Sequence, residues 1–249
     1  MKILLVADLH YTLRQWDWLG VAADRFDLVV VAGDLLDIAS IVPPEAQIVV
    51  VRKYLARLGA KTPLLVSSGN HDILPDPGGD ERTAAWLRED PGSGVLVDGD
   101  HFETDDLFFS ILPWWDGPQT RAEVEALLQE QATAVAGRRW VWIYHPPPKG
   151  SPTAWNGRRD LGDSHLLGWV AEHRPYMIFG GHIHTAPFYA NGSWIDLVDG
   201  TWFFNGGRQT GGVPTFTMID LEQNTATWVA ADDAERATLE APLVRSSLD

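Results

Sequence analysis

Residues 2–10 read KILLVADLH: an apolar run of strand length that stops at Asp8, with His10 two positions on. Four further stretches repeat that pattern. Residues 27–34 read DLVVVAGD, 63–72 PLLVSSGNHD, 140–145 WVWIYH and 176–184 YMIFGGHIH. Continuous apolar runs of this length suit strands covered on both faces, and each polar string begins where a run ends. The segments between them read as helices over 15–25, 44–58 (with Pro44 in the first turn), 80–89, 119–135 and 164–172. Alternation of strand and helix implies right-handed crossovers and a largely parallel or mixed sheet. In such sheets ligands bind beyond the carboxyl ends of the strands, where all five strings fall.

After Pro187 the pattern changes to short alternating strands over 188–190, 193–197, 202–205, 214–221 and 225–229. Asn191-Gly192 and Gln223-Asn224 read as their turns, and a second, mainly antiparallel sheet packed on the first is expected. Residues 94–112 read as a strand pair turning near 104–106, and 231–249 as a surface tail or short helix. The chain of 249 residues is long enough for a full core, and one domain over 1–249 is expected. No run approaches the roughly 18 apolar residues of a membrane span. The N-terminus reads as a first strand rather than a signal peptide, so a cytoplasmic protein with no membrane partner is expected.

Five of the eight histidines lie in the five strings, beside Asp and Asn, which are oxygen donors to hard or borderline divalent metals. The chain has no cysteine, which excludes disulfides, thiolate zinc sites and iron–sulfur clusters. Its formal charge of −15 opposes a long polyanion, although bound divalent cations would reverse the field locally. Two metals about 3.5–4 Å apart can clamp a phosphoryl displacement when a ligand bridges them, and Asp34 suits the bridge. Asp8, His10 and His184 would complete one ion; Asn70, His145 and His182 would complete the other. In extended backbone Asp8 and His10 share a side, as do His182 and His184.

The ordered set Asp8-Leu9-His10, Gly33-Asp34-Leu35-Leu36-Asp37, Gly69-Asn70-His71-Asp72, His145 and Gly181-His182-Ile183-His184 resembles the calcineurin-like metallophosphoesterase superfamily. The resemblance implies a four-layer αββα sandwich of two mixed sheets flanked by helices. It also implies two divalent ions on the ligand set just given, with a hydroxide bridging them as nucleophile. His71 would then stand near the metals without binding them, donating a proton to the leaving alkoxide or holding a phosphate oxygen. Asp72 would orient His71, and Asp37 would support the ligands from outside. Mixed nitrogen and oxygen donors suit Mn, Fe, Zn, Co or Ni, with Mn the choice for work in vitro.

Protein Ser/Thr phosphatases of this superfamily place Arg after the Gly-Asp and Gly-Asn-His blocks. Here those positions hold no Arg, and Gly-Asn-His-Asp is more similar to the small bacterial phosphodiesterases. The expected reaction is hydrolysis of a small phosphodiester such as a cyclic nucleotide or nucleotide-derived compound. A nuclease or a phosphomonoesterase is the alternative, but 19 Lys plus Arg leave no basic track for extended nucleic acid. A non-enzymatic scaffold would not need the complete donor set that this chain keeps. Substrate contacts are expected from Trp155, Arg158 and Arg159 in the long loop 146–163, and from Arg208. Trp114 and Trp115 are further candidates for stacking on a base or other flat substrate.

Overall fold

The computed structural model describes residues 1–76 and 78–248. The first strands and helices are β1 (Lys2–Val6), α1 (Leu13–Ala22), β2 (Leu28–Ala32), α2 (Pro44–Gly59), β3 (Leu64–Ser67), α3 (Ala85–Arg88) and β4 (Val95–Leu96). The middle of the chain forms β5 (His101–Glu103), β6 (Leu107–Ile111), α4 (Pro118–Val135), β7 (Arg139–Ile143), α5 (Leu166–His173) and β8 (Met177–Gly180). The last part forms β9 (Ile195–Val198), β10 (Thr201–Asn205), β11 (Phe216–Asp220), β12 (Thr225–Val229), β13 (Ala234–Thr238) and β14 (Val244–Ser247).

These strands make two mixed sheets, ordered β14-β13-β12-β11-β1-β2-β3-β4 and β5-β6-β7-β8-β10-β9. Three apolar layers separate four layers of structure. Ile3, Leu5, Val30, Phe109, Ile143 and Phe179 fill the space between the sheets. Leu4, Val6, Val29 and Val31 face the other way, onto Trp16 and Leu19 of α1 and Val51 and Leu55 of α2. Trp142, Ile178 and Phe203 turn outward onto Val124 and Leu128 of α4 and Trp169 of α5. Both parities of each central strand are therefore buried, which is why their sequences carry no polar alternation. The fold is the αββα sandwich that the motifs imply. Among the described residues no helix is long and apolar enough to cross a membrane.

Four local expectations are corrected. The strands after Pro187 do not form a sheet of their own. β9 and β10 extend the sheet beyond β8, while β11–β14 extend the other beyond β1. Unpaired backbone groups on the outer sides of β8 and β1 are taken up by β10 and β11, onto which the remaining strands add. Residues 186–188 form a 3₁₀ turn instead of entering a strand, and the hairpin turn lies at Asp199-Gly200, with φ of 50° and 86°. Two left-handed residues are what a tight hairpin between β9 and β10 requires.

The helix expected over 80–89 shrinks to the four residues of α3. Its first turn is diverted: the Glu81 carboxylate accepts from the N–H groups of Gln119 and Thr120 at the start of α4, Arg82 pairs with Asp116, and Thr83 pairs with Leu74. Residues 231–249 hold β13 and β14 in place of a tail, Asp249 lying outside the described residues. Ala237 and Leu239 enter the intersheet core, and Glu235 accepts from the Trp194 indole at 2.7 Å.

Candidate metal centre

β1, β2, β3, β7 and β8 deliver the five strings to one end of the sandwich. Parallel pairing continues past the strands: Asp8 N–H donates to Gly33 O at 3.1 Å and His10 N–H to Asp34 O at 2.9 Å. The two sheets are joined across the site, because His182 N–H donates to the Asp8 carboxylate at 3.0 Å. The extended geometry expected for Asp8-Leu9-His10 and His182-Ile183-His184 is not found. Asp8, His10, Tyr11 and His182 have φ of 56°, 42°, 55° and 73°, so the chain coils tightly. Leu9 and Ile183 are buried instead, and their neighbours are aimed at the site. Left-handed backbone at non-glycine residues is costly and clusters where function over-determines it. Close approach also fixes two glycines: a Cβ at Gly69 would overlap the Asp34 carboxylate, and one at Gly181 the Asp8 carboxylate.

Asp8, His10, Asp34 and His184 form one group of converging donors, and Asp34, His145 and His182 another. Asp34 belongs to both. Its Oδ2 lies 3.6 Å from His10 Nε2 and 3.2 Å from His145 Nε2, while its Oδ1 accepts from His71 N–H at 2.8 Å. In the first group His184 Nε2 stands 2.9 Å from His10 Nε2 and 3.2 Å from Asp8 Oδ1. Such donor separations are those of ligands about 2.0–2.2 Å from a shared ion.

The donor atoms themselves support the fit. His145 Nδ1–H donates to Ala32 O at 2.6 Å, which leaves its Nε2 with a lone pair. Among the described residues that Nε2 is buried with no hydrogen-bond partner, and so is Asn70 Oδ1. A buried acceptor without a donor is costly unless a cation takes its lone pair.

Electrostatics agree. Burial alone would raise the Asp8 carboxyl, but hydrogen bonding with His10 and His184 outweighs it and holds the group well below the carboxylate range. Asp34 is likewise raised by burial and lowered more strongly by His145. The same contact, working against burial, lifts the His145 imidazole to about 9. Two buried carboxylates thus stay ionised against positive charge, which a divalent cation supplies more fully than a shared proton.

His71 lies beside the first group, 4.0 Å from Asp34 Oδ2 and edge-on to His10, within reach of Asp37. Its Nδ1 accepts from Ile38 N–H at 3.4 Å, so the neutral ring carries its proton on Nε2, toward the carboxylate. Asp72 does not orient it. The Asp72 Oδ1 accepts from Leu35 and Leu36 N–H, both at 2.9 Å, and Oδ2 from Gly69 N–H at 2.8 Å. Its carboxylate is spent on holding the Asp34 and Asn70 loops together. Asp37 is the carboxylate next to His71 in its place.

A cleft of about 340 Å³ opens beside Asn70 and His182, walled by Trp114, Trp115, Arg82 and Asp116. Trp155 lines a different surface depression with Pro152 and Asn191, and Arg158 and Arg159 are exposed beyond the cleft. Their loop is folded on itself by Asn156 Oδ1, which accepts from both arginine N–H groups, so none of the three lines the cleft. Arg208 is tied by its backbone to the donor loop: its N–H donates to His184 O at 2.9 Å, and among the described residues its Nε is buried without a partner. Sequence reasoning passed over Arg82 and Asp116. Neither belongs to a motif, and only the diverted segment at 81–83 brings them to the cleft.

The family model for calcineurin-like phosphoesterases matches residues 1–186. Comparison with curated protein sequences finds no match. Among solved structures, TT1561 of Thermus thermophilus superposes with a TM-score of 0.57 at 12% identity, covering 99% of this chain and 98% of that one. GAP50, described as the anchor in the inner membrane complex of Plasmodium, gives 0.58 at 10% identity, with 100% and 88% covered. A dimetal phosphatase from Danio rerio gives 0.51 at 13% identity, with 95% of each chain covered. At such identities the likeness is one of fold.

Proposed function

The chain belongs to the calcineurin-like phosphoesterase family, and from that premise we propose that this metal-dependent hydrolase acts on small phosphodiesters through two ions sharing Asp34. Asp8, His10 and His184 would hold one ion, and Asn70, His145 and His182 the other, with manganese suited to the mixed donors. When bound, such ions supply a nucleophilic oxygen near neutral pH and offset charge on the phosphate. The observation that carries the reading is the carboxylate of Asp34, with one oxygen facing histidines of both groups.

The protein's own side chains then act as follows. Asp34 is aimed by the His71 N–H, and Asp72 locks the loops that carry Asp34 and Asn70. His71 presents its Nε2–H to a phosphate oxygen. Burial lowers its basicity by more than Asp34 and Asp37 raise it, so the free ring is neutral; an arriving anionic phosphate would raise it, and the imidazolium formed by taking up a solvent proton would pass that proton to the leaving alkoxide. Arg208, whose backbone N–H donates to His184 O and whose Nε is buried without a partner among the described residues, would hold another phosphate oxygen. GAP50 is a protein of this fold described as an anchor, but the two converging donor groups here favour catalysis.

His71→Ala tests the assignment. It should keep both metal equivalents, lose at least about 100-fold in kcat on alkyl diesters and much less on activated aryl diesters. Equal loss on the two would remove the proton-donor role.

A further inference from the structure

The donor cluster opens sideways into the cleft of about 340 Å³, the small end of the roughly 300–1,000 Å³ range for small-molecule sites. That is room for one ring system beside the phosphate. The nearest wall is Trp114, whose ring centroid lies 5.2 Å from His182 and 5.9 Å from His145. A group resting on this indole is therefore adjacent to a phosphate held at the metals. Trp114 is placed by its backbone N–H, which donates to Ser68 Oγ at 2.9 Å. Trp115 is fixed too, its Nε1–H donating to Tyr144 Oη at 2.8 Å. The Trp115 indole is held by that bond and the Trp114 indole is packed against His145 and His182, so binding a flat group against them costs little conformational freedom.

Charge selects among flat groups. Arg82 is held by Asp116 through hydrogen bonds of 3.1 and 2.7 Å, and Asp163 adds a second carboxylate to the walls. A second phosphate entering here would meet a neutralised arginine and two carboxylates. An uncharged heteroaromatic ring meets aromatic faces and hydrogen-bonding edges instead. Resting on the diesterase reading above, we propose that the cleft binds the base of a nucleoside ester, stacked on Trp114, while the ester phosphate sits at the metals.

The test uses the full chain loaded with manganese and hydrolysing bis(4-nitrophenyl) phosphate. Thymidine 5′-phosphate and 1,2-dideoxyribose 5-phosphate, which differ only in the base, are compared as competitive inhibitors. The base should tighten Ki about tenfold or more in the wild type, as stacking of one base typically does. Trp114→Leu should bring the ratio of the two Ki values below about threefold, and Trp114→Phe, which keeps a flat ring, should retain most of it. Equal Ki values in the wild type, or an unchanged ratio in Trp114→Leu, would overturn the cleft assignment and leave the diesterase reading standing. No turnover of the diester would overturn that reading, and the cleft assignment with it.

Discussion

Asp72 sits in a loop otherwise devoted to the site, yet its two oxygens accept three backbone N–H groups and none from a side chain. Asp72→Asn keeps an acceptor for Leu35 and Leu36 but turns an amide NH₂ toward the Gly69 N–H. At pH 6, below the value of about 8 to which burial and the Asp34 charge push this carboxyl, the substitution removes no buried charge, and a loss of about 1–3 kcal/mol in urea unfolding is expected, the cost of one unsatisfied buried donor. Unchanged stability with an altered pH–rate profile would return Asp72 to the role of orienting His71. Asp98 offers a second test, away from the donors. Burial pushes its carboxyl up from 3.8 to about 6, against the pull of hydrogen bonding from Ser68. A raised folded value means stability present below 3.8 and lost as pH rises through about 6. Asp98→Asn removes that loss, so its stability relative to wild type should improve by about 1–2 kcal/mol between pH 5 and pH 8. A constant difference across that range would contradict the assignment.

At the scale of elements, the long helices and central strands were legible because burial on both strand faces and on one helix stripe leaves a pattern. β1, β2, β3, β7 and β8 start and stop within a residue or so of their apolar runs. Two kinds of element were not legible. The turns at Asp8 and His182 are left-handed because the site demands it, and residue type alone points to an extended chain there. The strands after Pro187 carry alternation but no label for a partner, so their division between two sheets came only from where open edges lay. The terminal hairpin is the sharpest case: polar and alanine-rich, it still places Ala237 and Leu239 in the intersheet core. Deleting residues 231–249 should cost on the order of 3–5 kcal/mol, as emptying a large core position does. A loss under about 0.5 kcal/mol, the scale of surface changes, would make the segment an appendage.

At the scale of the whole molecule, the sandwich brings loops from two sheets to one end, and His182 N–H bonded to Asp8 is where they meet. The reaction class was readable because the donor residues follow strands in a fixed order. The cleft was readable only in part: Trp114 and Trp115 stood out as stacking residues, but Arg82 and Asp163 reach it from separate loops with no common motif. A formal charge of −15 on the chain opposes an anionic substrate unless cations dominate locally, so the catalytic part of the account depends on two ions. Metal content determined alongside diester turnover tests that directly, in wild type and in Asn70→Ala and His145→Ala. Two divalent equivalents per wild-type chain, with one equivalent and turnover both lost in either variant, are predicted. Full turnover with a single equivalent, or with both retained in a variant, would contradict the shared role of Asp34.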